Sequence, residues 1–275
     1  MDMTDMNTAA AAPHSGRRQG EVILDLQNIS LRFGGVKALT DISFNIREHE
    51  IRAIIGPNGA GKSSMLNVIN GVYHPQEGKI MFRGQQRQKM EPHMAAQQGI
   101  ARTFQNIALF KGMSVLDNIM TGRNLKMKSN IFQQALWLGP ALREEIAHRE
   151  RVEEIIDFLE IKQFRHSLVG SLSYGLRKRV DLGRALAMEP KILLMDEPMA
   201  GMNVEEKEDM ARFILDIREA LNIPILLVEH DMQVVMDIAD RIVVLDWGHV
   251  IARGTPDTIK KNPSVIEAYL GVAIE

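Results

Sequence analysis

The 275-residue chain contains no cysteine. That excludes disulfides, thiolate catalysis and Cys-based zinc sites together, and it fits a reducing compartment. Long hydrophobic runs are also missing. Stretches such as Ile223-Pro224-Ile225-Leu226-Leu227-Val228 fall far short of the ~20 residues a membrane helix needs, so the chain is expected not to cross a bilayer. Neither sign of charge dominates: 33 basic against 35 acidic residues leave a formal net charge of -2. A general nucleic-acid binder would carry a basic excess, and no nucleic-acid partner is expected. Met1 to Gly20 lacks a basic segment followed by an apolar one, so it does not read as a secretory signal. Its Ala, Thr, Asn, Gly and Pro content reads instead as a disordered tail over 1–20.

What is present is ordinary globular material, 45% hydrophobic and 25% charged, long enough to bury a large core. Residues 22–33 and 41–47 read as strands with a Gly34-Gly35 turn between them. In the second, Ile42, Phe44 and Ile46 alternate with Ser43, Asn45 and Arg47, the pattern of a half-buried antiparallel strand. Ile51 to Ile55 is a further strand, 62–70 a helix, and 79–83 a short strand between Gly78 and Gly84. Residues 111–170 change to helix formers, with Val152, Ile155, Ile156 and Leu159 on one helical face. Apolar runs then return at Lys191–Met195, Ile225–Val228 and Ile242–Leu245, as buried parallel strands require. An amphipathic helix with Met210, Phe213, Ile214, Ile217 and Leu221 separates the first two, started by Asn203 with Glu206. Strands alternating with helices give an α/β class with a parallel sheet covered on both faces.

Gly56-Pro57-Asn58-Gly59-Ala60-Gly61-Lys62-Ser63 matches the G-x-x-x-x-G-K-[ST] phosphate loop, with Ser64 continuing it. Glycines let the backbone curl until several N–H groups face one anion, and the helix behind presents its positive end to the same anion. Lys62 should reach the β- and γ-phosphates of a nucleotide, and the Ser63 hydroxyl should ligate Mg²⁺. Four fixed positions arise by chance in roughly one chain of this length per hundred. The strand before and the helix after therefore matter. The loop alone does not separate a transporter from a kinase or GTPase.

Ile192-Leu193-Leu194-Met195-Asp196-Glu197 is an apolar strand ending in two acids, at the end of a parallel strand where ligand sites form. Asp196 suits Mg²⁺, a hard cation. Glu197 suits polarisation of an attacking water.

Leu172-Ser173-Tyr174-Gly175-Leu176, just before that strand, resembles the signature of ABC ATPases, usually written LSGGQ. Arg177-Lys178-Arg179-Val180-Asp181-Leu182-Gly183-Arg184-Ala185-Leu186 matches the helix that follows it. The order of motifs agrees, and the resemblance covers about residues 21–271. Tyr174 and Leu176 depart from the pattern; Ser173 and Gly175, which the family uses on the γ-phosphate, are kept. The resemblance implies one ABC ATPase domain over 21–275. Its fold would be a P-loop RecA-like, mostly parallel sheet with an antiparallel β subdomain and an inserted helical subdomain at about 111–175. It further implies that Gln105 contacts Mg²⁺ or water, that His230 contacts the γ-phosphate and orients Glu197, and that Ala200-Gly201-Met202-Asn203 is an atypical D-loop. Phe33 stands where the family stacks an aromatic on adenine; the lesser alternative is a core side chain, since residues near a strand end are often simply buried.

Arg102-Thr103-Phe104-Gln105-Asn106, Glu197-Pro198-Met199-Ala200-Gly201-Met202-Asn203, Glu229-His230-Asp231-Met232 and the ending Asn262 to Gly271 resemble ATPase subunits of branched-chain amino acid importers. So does the insertion with Trp137, Gly139 and Pro140. The resemblance implies ATP and Mg²⁺ as cofactors, and a homodimer or a heterodimer with a paralogous ATPase. It also implies transmembrane permease subunits, a periplasmic substrate-binding protein acting indirectly, and a peripheral place at the cytoplasmic face of the inner membrane. The cargo would be branched-chain amino acids or a related amino acid, amide or organic acid. The alternative is a soluble ABC-type ATPase with no permease; those usually carry tandem ATPase domains, long coiled coils or basic extensions.

Overall fold

The computed structural model describes residues 20–127 and 139–270. The tail read over 1–20 lies, Gly20 apart, outside the described residues, as do Trp137 and Gly271.

Two long strands come first, β1 (Val22–Phe33) and β2 (Val36–Arg47). Ile42, Phe44 and Ile46 are buried as the alternation requires. The strand expected at 41–47 starts earlier, however, because Val36 and Lys37 pair with Phe33 and Arg32 across the Gly34-Gly35 turn. That half is held by ladder hydrogen bonds while Val36 stays exposed, so no apolar pattern marks it.

After β3 (Ile51–Ile55) come helix α1 (Lys62–Ile69), β4 (Glu77–Phe82), β5 (Gln85–Arg87), α2 (Pro92–Gln97) and β6 (Ile100–Thr103). The strand expected at 79–83 thus begins at Glu77. It takes in Gly78 (φ 100°), where a Cβ would lie 2.6 Å from the Gln27 and Asn28 carbonyl oxygens. Helices α3 (Val115–Met120), α4 (Gly139–Phe158) and α5 (Tyr174–Ala187) follow, then β7 (Ile192–Asp196), α6 (Val204–Ala220), β8 (Ile225–Val228), α7 (Met232–Ile238), β9 (Arg241–Asp246) and β10 (His249–Gly254). Two short helices, α8 (Pro256–Lys260) and α9 (Pro263–Leu270), close the described chain.

The strands form two sheets. One is antiparallel, in the order β2-β1-β4-β5; the other runs β10-β9-β3-β8-β7-β6. In the second, only the β10–β9 pairing is antiparallel. Its central strands send alternate side chains into two cores. Ile51, Ala53, Ile55, Leu193, Met195, Ile225 and Leu227 join a core with the helices α3 to α6. Ile54, Ile192, Leu194, Leu226 and Val228 join another, with α1 and the antiparallel sheet. A strand buried on both faces favours an unbroken apolar run; Ile192–Met195 and Ile225–Val228 carry one, and β3 carries one but for the buried Arg52, which pairs with Glu50. In the helical stretch, Val152, Ile155, Ile156 and Leu159 are buried against Val115, Leu116, Ile119 and Val180. Asn203 and Glu206 form the expected capping box on α6.

Candidate functional site

Strands β3, β6, β7 and β8 are neighbours or near neighbours, so the loops leaving their carboxyl ends meet. The loop from β3 turns at Gly56 (φ 150°), where a Cβ would sit 2.0 Å from the Leu245 carbonyl oxygen. No residue but glycine fits there without moving backbone. Gly59 (φ 83°) and Gly61 (φ 100°) complete the curl. Gly61 caps α1 without a side-chain bond, so the first turn keeps its N–H groups for an anion. Lys62 is buried, and its Nζ donates to the carbonyl oxygens of Gly56 (2.7 Å) and Pro57 (2.9 Å). Burial lowers the Lys62 pKa, and the nearby Glu197 and Asp196 carboxylates work against that. Ser63 is exposed and Ser64 half-buried at the start of α1.

Asp196 ends β7. Its Oδ2 accepts from Arg102 Nη2 at 2.7 Å, and Arg102 Nη1 donates to Asn67 Oδ1 at 2.6 Å. Asp196 Oδ1 is buried with no hydrogen-bond partner. A buried carboxylate oxygen left unpartnered is costly unless something else binds it, and a hard divalent cation fits that demand. Asp196, with the Ser63 hydroxyl and Gln105, could hold Mg²⁺. Among the described residues no three His, Asp or Glu side chains cluster as a metal cage, so phosphate and water oxygens would supply the other ligands.

Glu197 sits one residue on, with φ 46°, a left-handed backbone rare for a side chain of this size. Its N–H still donates to the Val228 carbonyl (2.9 Å), so the turn is locked to β8 while the carboxylate swings away from Asp196. Gln105 Nε2 donates to Glu197 Oε2 at 2.7 Å. His230 Nδ1 lies 3.7 Å from the same oxygen, and its ring is 57% exposed. Lys62, Asp196, Glu197, Gln105 and His230 are thus brought into one neighbourhood.

Ser173, Gly175 and Phe33 lie outside that network. Ser173 is exposed and caps α5, accepting from the Leu176 N–H at 3.4 Å. Gly175 is buried; a Cβ would come within 2.2 Å of Oε1 of Glu206, the residue whose other carboxylate oxygen accepts from Asn203 N–H in the capping box of α6. Phe33 is not a core residue. It is 46% exposed and meets Tyr73 edge-on, ring centroids 4.9 Å apart.

Four residues of the neighbourhood escaped the sequence reading: Arg102, Asn67, Lys178 and Glu229. Glu229 is fully buried; its Oε1 accepts from Met199 N–H (2.9 Å) and its Oε2 from His230 N–H (3.1 Å). It ties the segment after Glu197 to the one bearing His230, and burial raises its pKa. The usable signal was an acid directly behind an apolar strand. Arg102 gave a comparable one, a lone cation in Ile100-Ala101-Arg102-Thr103.

Residues 39–200 match the family model described as ABC transporter, and residues 249–275 match one described as branched-chain amino acid ATP-binding cassette transporter. The chain is 38% identical over 254 residues to the high-affinity branched-chain amino acid transport ATP-binding protein BraF of Pseudomonas aeruginosa, covering 91% of this chain and 98% of that one. It is 35% identical over 251 residues to LivG of Escherichia coli, of the same description, again covering 91% and 98%. Among solved structures, the ADP conformation of an ATP-binding cassette of an ABC transporter superposes with a TM-score of 0.80 at 32% identity, over 92% of this chain and 100% of that one. A dimeric bacterial ABC transporter cassette gives 0.71 at 25% identity, over 85% and 99%. With its phosphate loop, paired acids and helical stretch all falling inside the matched residues, the chain belongs to the ABC transporter family.

Proposed function

We propose that this chain is the peripheral motor of an ABC importer, hydrolysing Mg-ATP as one half of a nucleotide sandwich. The observation that carries the reading is the carboxylate of Glu197, held by Gln105 at 2.7 Å beside His230 and next to the lysine of the phosphate loop. The loop N–H groups and Lys62 bind the β- and γ-phosphates. Mg²⁺, when bound through Asp196 and Ser63, would neutralise charge on those phosphates. Glu197 takes a proton from the attacking water, and Gln105 and His230 fix the direction of its carboxylate. Phe33 stacks on adenine, supported by its exposed ring.

Ser173 and Gly175 would close on the γ-phosphate held by a second copy or a paralogue, a reading supported by the exposed Ser173 at the helix start. The dimeric cassette among the structural relatives supports that arrangement. The permease would dock on the helical stretch, where Met113, Leu116, Met120 and Asn124 line a groove of about 250 Å³ beside α3. No described helix is long and apolar enough to cross a membrane, so the membrane subunits would be separate chains and this one would sit at their cytoplasmic face. The cargo is proposed as branched-chain amino acids, or a related amino acid, amide or organic acid, supported by the names of the relatives.

Glu197→Gln and wild type should be compared for ATP turnover and ATP-dependent dimerisation. The variant should bind ATP, stall and accumulate as a dimer. Turnover at the wild-type rate would remove Glu197 as the base.

A further inference from the structure

Lys178, in the second turn of α5, is 4% exposed, although the four other charged residues of its helix would suggest a solvated face. Its Nζ donates to the carbonyl oxygens of Gln105 (3.0 Å), Phe104 (3.5 Å) and Glu197 (3.5 Å). An ammonium has three donors and no acceptor, so one side chain satisfies three main-chain oxygens on two separate segments. Both segments carry a reactive group of the site.

The same helix face continues the grip. Asp181, three residues on, is buried and accepts from the Phe104 N–H at 3.4 Å. Arg184, three further, donates to the Ala108 carbonyl at 2.5 Å and to Asp181 Oδ1 at 2.6 Å. Side chains spaced by three line one side of a helix. The main chain from Phe104 to Ala108 is therefore seized along its length by α5, and only Lys178 reaches onward to Glu197. Around its ammonium stand Asp181, Glu229, Asp196 and Glu197; burial lowers the Lys178 pKa and these carboxylates oppose the fall.

We propose that Lys178 is a positioning residue, setting Gln105 against Glu197 and carrying movements of α5 to both. The helix that it occupies begins at Ser173 and Gly175. Resting on the sandwich reading above, nucleotide held by the second copy would bear on those two residues, shift the helix and so tune this copy's own Glu197. One buried side chain thereby joins the two sites of the dimer. A Lys that only stabilised the fold would affect binding and turnover alike; a positioning Lys affects turnover.

The test uses the full chain with Lys178→Met and Lys178→Gln. Lys178→Met should bind ATP within about twofold of wild type and lose about tenfold or more in kcat, since small misplacements of reacting groups are costly. The amides of Gln105 to Ile107 should exchange faster with solvent while those of β1 and β2 stay unchanged. Lys178→Gln, with two of the three donors, should fall between. Unchanged kcat in Lys178→Met, or ATP affinity lost in parallel with kcat, overturns the proposal. Should Lys178→Met not fold, the Gln variant decides: turnover at the wild-type rate overturns it. Both substitutions are repeated in Glu197→Gln. If Glu197→Gln alone stays monomeric with ATP, the sandwich fails and the link to a second copy with it, while a selective kcat loss still supports positioning within the chain.

Discussion

Arg102→Met removes a guanidinium and keeps most of its stem. The structure gives the cost. Arg102 and Asp196 are 6% and 7% exposed, with nitrogen and oxygen 2.7 Å apart, so water cannot replace the lost partner. Breaking a buried pair from one side costs about 3–5 kcal/mol, because the other charge is left without compensation. The effect is worse than average at Asp196, whose second oxygen already has no partner, and Asn67 loses its donor as well. For a chain of this size, with about 2–4 °C per kcal/mol, melting should fall by about 6–20 °C. Urea unfolding of the nucleotide-free protein measures this without any appeal to activity. Adding Asp196→Asn removes the stranded charge, so the double variant should be more stable than Arg102→Met alone, with a coupling of about 2–3 kcal/mol. A single-variant cost under about 1 kcal/mol, or a double-variant cost equal to the sum of the singles, refutes the claim that Arg102 neutralises Asp196.

Lys62→Ala should weaken ATP binding by about 10- to 100-fold, the loss of a charged hydrogen-bond donor; unchanged affinity in a nucleotide-binding titration removes Lys62 from the site. Phe33→Ala should raise the ATP Kd by about five- to 100-fold through lost stacking, and an unaltered Kd would leave that ring without a role. Gly56→Ala drives a methyl into the Leu245 carbonyl and should cost about 1–3 kcal/mol together with ATP binding; a fully stable, ATP-binding variant contradicts the loop geometry. Glu229 has its folded pKa raised by burial, so its contribution is present at low pH and lost as pH rises upward from the ordinary carboxylate value of 4.5. Glu229→Gln should therefore gain on wild type in urea unfolding as pH increases; a difference constant with pH rejects this.

The parts of the site that could be read from sequence share one physical feature. β3, β7 and β8 are buried on both faces, so each is an apolar run, broken in β3 only by the buried Arg52, and the runs stop at Gly56, Asp196–Glu197 and Glu229–His230. β6 breaks that rule. It is four residues long, lies at the sheet's edge and carries Arg102 in its middle, so it shows no run. Lys178, Asp181 and Arg184 are hidden for a different reason. Charges spaced by three on a helix normally face water, and their partners on the Phe104–Ala108 segment lie more than 70 positions away in sequence. Only the fold reveals that this face is turned inward. β10 and the helices α8 and α9 went unread because they are short and built partly on pairing with β9 and on Pro at the helix start.

The buried cations also explain how two adjacent acids take different roles. Asp196 is held through one oxygen by the buried guanidinium of Arg102, and its other oxygen, buried without a partner, is left to face a metal. Lys62 and Lys178 stand near Glu197 but make their hydrogen bonds to main-chain carbonyls. Lys62 donates to the Gly56 and Pro57 carbonyls, and Lys178 to three further carbonyls, one of them the main-chain oxygen of Glu197 itself. The Glu197 side chain meets an amide and an imidazole instead. Direction is thereby imposed by the Gln105 amide, with the His230 ring alongside. The left-handed backbone at Glu197 completes the separation, since an extended residue after β7 would follow the strand and send the second acid along the sheet rather than toward Gln105. Sequence adjacency brought the two acids to one place; main-chain carbonyls, by holding the lysines, keep their chemistry apart.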